Sequence, residues 1–422
     1  MNTGYMSEKI RTDVAVIGGG AAGMMAALQA AKAGVSVILL EKNEKLGKKI
    51  YITGKGRCNV TNTADLSEFM RQVPRNPKFL NSAVHAFYNE DMIQLLDDLG
   101  TKTKVERGGR VFPVSDHASD VTKALTKGLE REWVQVILNA EVKKVETADG
   151  GFCVTLHDGR EIEADACIVA TGGLSYSGTG STGDGYRFAE SFGLEVTPLK
   201  GSLVGLTTEE RWPSLLQGLS LKNVRLTAKA GKKIIYDELG EMLFTHFGFS
   251  GPLCIELSSH LPDDLSSVSI ALDLKPGMTE EEVDKRFQRE FADAPKKYMS
   301  SILQQWLPAR FCPVFCRLSG IAPETFAAEI NRTQRMRLVK TMKKMTLPIS
   351  GLRPVEEAVV TRGGVNTREL SPSTMMSKQI PGLFFAGEVI DVDAHTGGFN
   401  LQIAFSTGAL AGRSAASYIK GE

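Results

Sequence analysis

Cysteine is sparse, and its spacing serves neither a metal nor a disulfide framework. The six cysteines, at positions 58, 153, 167, 254, 312 and 316, form no CxxC pair. In a chain of 422 residues this excludes a disulfide scaffold and a zinc ribbon, and it fits reduced, buried thiols of a cytoplasmic protein. Neither sign of charge prevails: 50 Lys and Arg against 49 Asp and Glu leave a net charge of +1. No global field therefore marks a nucleic-acid or membrane partner. An unbroken apolar run near the N-terminus is missing as well. Val14 to Ala31 is uncharged for 18 residues but holds four glycines, and a spanning helix needs about 20 mainly apolar residues without such a break. A soluble protein is expected.

Glycine is the residue in excess. The chain holds 42, about a tenth of it against a common share of about 7%, and they cluster. The length exceeds what one hydrophobic core usually serves. Asp13 to Ile17 is a short apolar run typical of a strand buried on both faces. Gly18 to Gly23 turns the chain, Met24 to Ala33 has the composition of a buried helix closed by Gly34, and Val35 to Leu40 is a second buried strand. Residues 65 to 130 read as mostly helical, with leucines at helical spacing in Asp91 to Leu99 and Asp120 to Glu130 and Ser119 as an N-cap. Val134 to Leu138, Glu141 to Val145, Phe152 to Leu156 and Ala166 to Ala170 read as strands, with turns at Asp149-Gly150 and Asp158-Gly159.

Beyond Val196 short β-like runs alternate with glycine and proline turns to about residue 275. Helical spacing follows to 345, divided by prolines at 295, 308, 313 and 323. Strand composition returns at Ala358 to Thr361 and Leu383 to Ala386, and a last helix runs from Gln402 into Tyr418. The expected architecture is an α/β, Rossmann-like core built from residues 1–195 and 350–422. A β-barrel-like subdomain, 196–275, and a helical subdomain, 276–349, interrupt it.

Gly18-x-Gly20-x-x-Gly23 lies between a buried strand and a buried helix, and the next strand ends in Glu41. The first glycine permits the tight turn, the second lets backbone approach a pyrophosphate, and the third allows close helix packing. The helix N-terminus offers free N–H groups to phosphates, and Glu41 can accept both ribose hydroxyls. A second string, Gly178-x-Gly180-x-x-Gly183, has no strand running directly into it and no acid at the right distance. It reads as a glycine loop feeding the helix of Tyr186 to Phe192. Near the C-terminus a buried strand ends in Gly387-Glu388, and Thr396 to Gln402 enters the last helix. Such an anchor, remote in sequence from the first, suits a cofactor that spans the whole domain. Gly387-Glu388 supplies a ribityl contact, and the helix N-terminus stabilises negative charge on a flavin. FAD is the expected bound cofactor.

In VIGGGAAGMMAA, LLEKNEKLGKKIYITGKGRCNVTN, GGRVFPVS, IVATGG, GSTGDGY, VTRGGV and GLFFAGEVIDVDAHTGGFNLQ the sequence resembles the BaiN/RdsA flavoproteins, whose fold is related to that of fumarate-reductase flavoproteins. These strings run in order through most of the α/β core, whereas the insertion matches by position and character. The resemblance implies FAD held by Gly18, Gly20, Ala22 and Gly23, by Glu41 and Lys42, by Lys48 and Lys49, and by Arg57, Cys58, Asn59 and Val60. Val142 would meet the adenine through its backbone. Thr171, Gly172, Gly387, Glu388, Gly398, Phe399, Asn400 and Leu401 would complete the site. It further implies NAD(P)H as a transient electron donor and reduction of a C=C bond conjugated to a carbonyl. The substrate would be a small-molecule enone such as a 3-oxo-dehydro bile acid or steroid, or a uridine of large-subunit rRNA. The chain departs from the family's pattern at His395.

Two residues are candidate proton donors. Cys58 can protonate a substrate beside the flavin or pack quietly under its loop. His395, in a glycine-flanked turn, can act as an acid near neutral pH or serve as a satisfied loop histidine. Cys312 and Cys316 have no third or fourth ligand nearby, so no metal is expected. Residues 331 to 345 hold six basic residues and no acid, and residues 276 to 345 sum to +5. That asymmetry suits either an RNA-facing surface or a solvated helix face. Two other classes share the same core: an oxidase of a small amine and a non-catalytic flavin-binding module.

Overall fold

Strand β1 (Ile10–Ile17) is fully buried from Val14 to Ile17 because it lies inside a parallel sheet covered on both faces. The computed structural model describes residues 10–422, so the first nine residues of the expected segment 1–195 lie outside the described residues. Strand β2 (Val37–Leu40) pairs with one side of β1 and Glu161–Val169 with the other, both parallel. Gln135–Ile137 extends the sheet beyond β2, and Leu383–Phe385 joins Glu161–Val169 in parallel. An antiparallel meander of Val142–Ala148 and Gly151–Leu156 completes seven strands.

Helix α1 (Ala21–Lys32) joins β1 to β2. Nine of its 12 residues are buried, as its alanine-rich composition suggests. The C-terminal helix Phe399–Lys420 lies against it, and glycine makes the contact possible. A β-carbon at Gly408 would collide with the Ala22 carbonyl, and one at Gly412 with the Ala26 carbonyl.

The chain folds as two compact units. The first runs to Ser202 and resumes at Pro354; the second is Leu203–Arg353. Within the second, the long strands Ser220–Ala230 and Lys233–Phe244 pair antiparallel in a seven-stranded sheet. Helices Glu280–Asp293, Cys312–Leu318 and Arg332–Lys343 bury Phe287, Phe315 and Met342 in the same core as Leu226, Phe244 and Leu272. The β-like and helical stretches of the sequence thus share one core.

Local structure departs from the sequence reading in several places. Inside the stretch read as mostly helical, Thr103–Glu106 and Arg110–Pro113 form a hairpin, joined by Thr61–Asn62. Gly108 and Gly109 both take left-handed backbone in its turn, and Val111 to Pro113 are buried behind it. Ser119 is not an N-cap. The helix Ala118–Arg131 begins one residue before it, and the Ser119 carbonyl accepts from the Thr122 hydroxyl. Pro252–His260 is a helix within the segment read as strands and turns, and it starts with proline in its first turn. Pro313 likewise sits in the first turn of Cys312–Leu318 rather than between helices. Among the described residues no helix is long and apolar enough to cross a membrane.

Replacing Gly408 or Gly412 with valine should force the two helices apart and destabilise the protein by about 1–3 kcal/mol. Gly178→Ala, whose methyl would meet nothing within 4 Å, should leave the urea midpoint unchanged. Equal midpoints for all three variants would show that the helix contact is not close-packed.

Candidate functional site

The chain leaves β1 through three glycines with three different surroundings. Gly18 has φ +103° and a β-carbon there would lie 2.5 Å from the Ala170 carbonyl oxygen, while one at Gly23 would collide with the Gly18 carbonyl. Those two are required by packing. Gly20 is not, because a β-carbon there would meet nothing within 4 Å. It precedes α1, which has no side-chain cap and no acid in its first turn. The first N–H groups of α1 therefore offer unopposed positive potential beside an open approach.

Glu41, at the end of β2, is 7% exposed and already oriented. Its Oε2 accepts from the Gly19 amide at 2.7 Å, and its Oε1 accepts from the Asn43 amide at 2.8 Å and from Asn43 Nδ2 at 2.6 Å. The Ala140 amide donates to the Glu41 carbonyl, which draws the start of the Val142–Ala148 strand to this corner. Lys48 Nζ reaches Asn43 Oδ1 at 3.1 Å. Lys42 is committed elsewhere, to Thr182 and to Asp184 at 2.7 Å. The second glycine string packs on the same turn: Asn43 Nδ2 donates to the Thr179 carbonyl at 3.1 Å, and Gly183 opens the helix Asp184–Ser191. It walls the corner rather than forming another nucleotide fold.

Three segments far apart in sequence converge on Glu388. Its carboxylate accepts from Lys49 Nζ at 2.6 Å, from Ser175 Oγ at 2.6 Å and from the Thr361 amide at 2.8 Å. Lys49 also donates to Ser175 Oγ at 2.6 Å, and Thr361 Oγ1 accepts from the amides of Leu174 and Ser175. Burial favours the protonated acid, but the Lys49 ammonium and these hydrogen bonds outweigh it and hold the Glu388 carboxyl below its usual range. Just before it, Gly387 abuts α1: a β-carbon there would lie 2.7 Å from that of Ala22.

The loop Gly56 to Val60 is held from below. Cys58 is completely buried with left-handed backbone, and burial pushes its thiol up to about 12. Such a thiol keeps its proton at neutral pH, as a packed cysteine does. Arg57 is engaged with Glu106 and Asp116 and lies 4.2 Å over the Phe112 ring, while Lys104 pairs with Asp116 at 2.7 Å. Val60 is buried and its amide donates to the Val111 carbonyl. Asn59 Oδ1 and Thr171 Oγ1 are both buried without a hydrogen-bond partner.

The second helix N-terminus lies at Gly398, whose β-carbon would collide with the Thr61 carbonyl. Asn400 is tied to the preceding turn: its Nδ2 donates to the Ala394 carbonyl at 2.7 Å and its Oδ1 accepts from the Ala394 amide at 2.9 Å. Phe399 is buried against Phe69, and Leu401 is half-buried. His395 is 8% exposed; its amide donates to the Gln72 carbonyl at 2.9 Å and Nδ1 lies 3.1 Å from Gln72 Oε1. Gln72, Ser175 and Thr361 were not named as site residues from the sequence, although Thr361 lies in the string VTRGGV. Thr361 alone had a signal, at the end of a short apolar run before Gly363-Gly364.

In the second unit the basic helix Arg332–Lys343 is partly spent on its own packing. Arg335 pairs with Asp284 at 2.6 Å and Lys343 with Asp273 at 2.6 Å. Arg332, Arg337, Lys340 and Lys344 are exposed.

The Lys49–Glu388 pair gives a signed pH prediction. Because the folded carboxyl titrates below its unfolded value of about 4.3, the pair's contribution is present above that value and lost as pH falls through the lower folded one. Lys49→Met should cost about 1–3 kcal/mol near neutrality, and urea midpoints of variant and wild type should converge in acid. A gap independent of pH would remove Glu388 as the partner that matters.

A family model described as the HI0933-like protein Rossmann domain matches residues 12–414. The 3-dehydro-bile acid delta(4,6)-reductase of Clostridium scindens is 33% identical over 409 residues, 96% of this chain and 98% of that protein. The ribosomal RNA dihydrouridine synthase of Haemophilus influenzae is 34% identical over 400 residues, 93% of this chain and 95% of that protein. In fold, the chain resembles an open-conformation flavocytochrome c3 fumarate reductase, with a TM-score of 0.50, 17% identity, and coverage of 98% of this chain and 79% of that one. The expected family and the fumarate-reductase-like fold are both borne out.

Proposed function

The chain belongs to the HI0933-like Rossmann family, and from that premise we propose that it is an FAD-dependent oxidoreductase that uses NAD(P)H to reduce a C=C bond conjugated to a carbonyl. The observation that carries the cofactor is the pair of uncapped helix N-termini, at Gly20 and Gly398, within one unit. The residues fit a dinucleotide: Gly20 leaves room for a pyrophosphate, Glu41 stands at the ribose position, and the buried orphan atoms of Asn59 and Thr171 await partners. Bound FAD would supply hydride transfer. The chain's own work is to hold it: α1 toward the phosphates, Glu41 toward the ribose, Glu388 toward the ribityl chain, and Phe399 to Leu401 toward the pyrimidine edge.

The reaction class follows from what the two relatives' names share. A bile-acid enone and the uracil ring of a uridine both carry a C=C bond conjugated to a carbonyl, so one chemistry covers both. A small-molecule enone is the favoured substrate, since Arg335 and Lys343 are engaged in ion pairs rather than presented to a polyanion. Large-subunit rRNA is the competing substrate.

Purified protein should be yellow and release FAD on denaturation. Gly20→Ala should leave apoprotein stability intact, because the methyl meets no neighbour, yet weaken FAD at least about ten-fold, the equivalent of roughly 1.4 kcal/mol. A variant that binds FAD normally would refute the pyrophosphate approach at this glycine. Substrate choice is read by NAD(P)H consumption with a 3-oxo-4,6-diene steroid against unmodified large-subunit rRNA. Turnover of the enone alone supports the proposal, and dihydrouridine formation alone reverses the favoured substrate.

A further inference from the structure

Four of the five residues from Gly54 to Cys58 take left-handed backbone: Gly54 at φ +57°, Lys55 at +59°, Gly56 at +86° and Cys58 at +61°. Two of them are not glycine, and an L side chain adopts that region rarely and keeps it only where its surroundings fix it. Within the loop, the Arg57 amide donates to the Gly54 carbonyl at 3.3 Å and the Cys58 amide to the Thr53 carbonyl at 3.0 Å. The Arg57 side chain ties the loop to the hairpin of Thr103–Glu106 and Arg110–Pro113. Its Nε and Nη2 donate to Asp116 Oδ1 at 2.8 and 2.6 Å, its Nη1 and Nη2 reach the two oxygens of Glu106, and its plane lies 4.2 Å over the Phe112 ring. Lys104 holds the other Asp116 oxygen at 2.7 Å. Arg57 and Lys104 balance Glu106 and Asp116, so this guanidinium is spent on the hairpin rather than kept for a phosphate.

Beyond the clamp the chain doubles back on itself: a β-carbon at Gly54 would lie 2.9 Å from the Asn59 amide nitrogen. Asn59 Oδ1 is buried without a hydrogen-bond partner and stands 3.0 Å from where a β-carbon at Gly398 would be. Thr61 Oγ1 then donates to Gln402 Oε1 at 2.6 Å, and Asn62 Nδ2 donates to the Gly397 carbonyl at 3.0 Å. Residues 59 to 62 therefore lie along the start of the last helix, which begins with no side-chain cap and no acid in its first turn. An acceptor without a partner and the first N–H groups of a helix meet at one place. The pyrophosphate of a dinucleotide could use those donors but has no proton to give Asn59. An oxidised isoalloxazine answers both, because its pyrimidine edge runs carbonyl oxygen, N3–H, carbonyl oxygen.

We propose that Arg57 is a positioning residue: clamped by Glu106 and Asp116, it holds the left-handed loop so that Asn59 Oδ1 accepts the N3–H of a flavin ring, while the first N–H groups of the last helix face the carbonyl beside it. The inference rests on the FAD reading and gives Arg57 a role other than the direct cofactor contact that the family resemblance implies. A hydrogen bond to N3–H favours the protonated ring, so N3 ionises at a higher pH with Asn59 in place than without it. Arg57 acts on N3 only through the loop.

The test titrates the FAD-loaded protein with alkali and reads N3 ionisation from the flavin absorption spectrum. Asn59→Ala should lower the N3 pKa by about one pH unit. Arg57→Met should lower it in the same direction, and the double variant should go no further than Asn59→Ala alone. Glu106→Gln keeps the arginine while weakening its hold, and it should shift the N3 pKa the same way by less, a second reading where Arg57→Met fails to fold. The clamp is also read without cofactor: in apoprotein a lysine-specific endoprotease should cut after the exposed Lys55 several-fold faster in Arg57→Met, or in Glu106→Gln, than in wild type. An unchanged N3 pKa in Asn59→Ala, full additivity in the double variant, or unchanged cleavage in the clamp variants would each overturn the proposal. Wild-type protein that cannot be loaded with FAD would overturn the cofactor reading and this inference with it, whereas bound FAD with an unresponsive N3 overturns the inference alone.

Discussion

The last helix can lie on the first only because Gly408 and Gly412 offer no side chain to the carbonyls of Ala22 and Ala26. Everything at the candidate site follows from that approach. It sets the middle of the last helix and the turn at Gly387 against the start of α1, so segments nearly 400 residues apart in sequence serve one unit. A ligand as long as a dinucleotide needs such distant anchors, since a single βαβ turn holds only its phosphates and one ribose. The alanine-rich face of α1 is the complementary half of this contact. Larger residues there would separate the helices as surely as larger residues at the glycines.

A second constraint is electrostatic. Glu388 lies where a neutral residue would cost less, and it is kept charged by Lys49, Ser175 and the Thr361 amide. A buried ion pair is weak support for stability. Its value here is registration, because it joins four segments that share no local contact in sequence. The strand ends are thereby fixed relative to one another, which a flexible cofactor cannot do for itself. Glu41 shows the same economy: both carboxylate oxygens are engaged by the backbone and side chain of its neighbours, so the group is held in one orientation.

The parts of this arrangement legible in the sequence are those with a period or a steric rule. DVAVI and VSVILL are strands because both faces are covered, and Gly18 and Gly23 are fixed by collisions that any larger residue would suffer. Gly387 was legible as the end of a buried strand followed by an acid, and Gly398 through the family resemblance. What remained hidden depends on pairing across the fold. The hairpin carrying Glu106 was read as helical, so Arg57 looked available for a cofactor when it is engaged by two acids. Asp284 and Asp273 are unremarkable in sequence, yet they draw Arg335 and Lys343 out of what had looked like a uniformly basic face. Ser119 had the right chemistry for a cap but stood one residue inside the helix, a displacement that composition cannot resolve.

The acid chemistry shows the same limit. From sequence, a cysteine in a glycine-rich loop and a histidine in a glycine turn were the natural proton donors, because their reference pKa values lie nearest neutrality. Burial removes the cysteine from that pair. It raises the thiol of Cys58 away from neutrality and raises the carboxyl of Asp393 toward it, since in both cases the anion is the form that loses solvation. A residue type chosen by its solution pKa is therefore a poor guide inside a dry fold. At Asp393 the Ser202 hydroxyl, Arg362 and Arg75 oppose that rise, and Asp391 adds to it. The balance depends on Ser202 and Asp391, which lie 191 and two residues from Asp393 in sequence, and only the fold puts all three in one place.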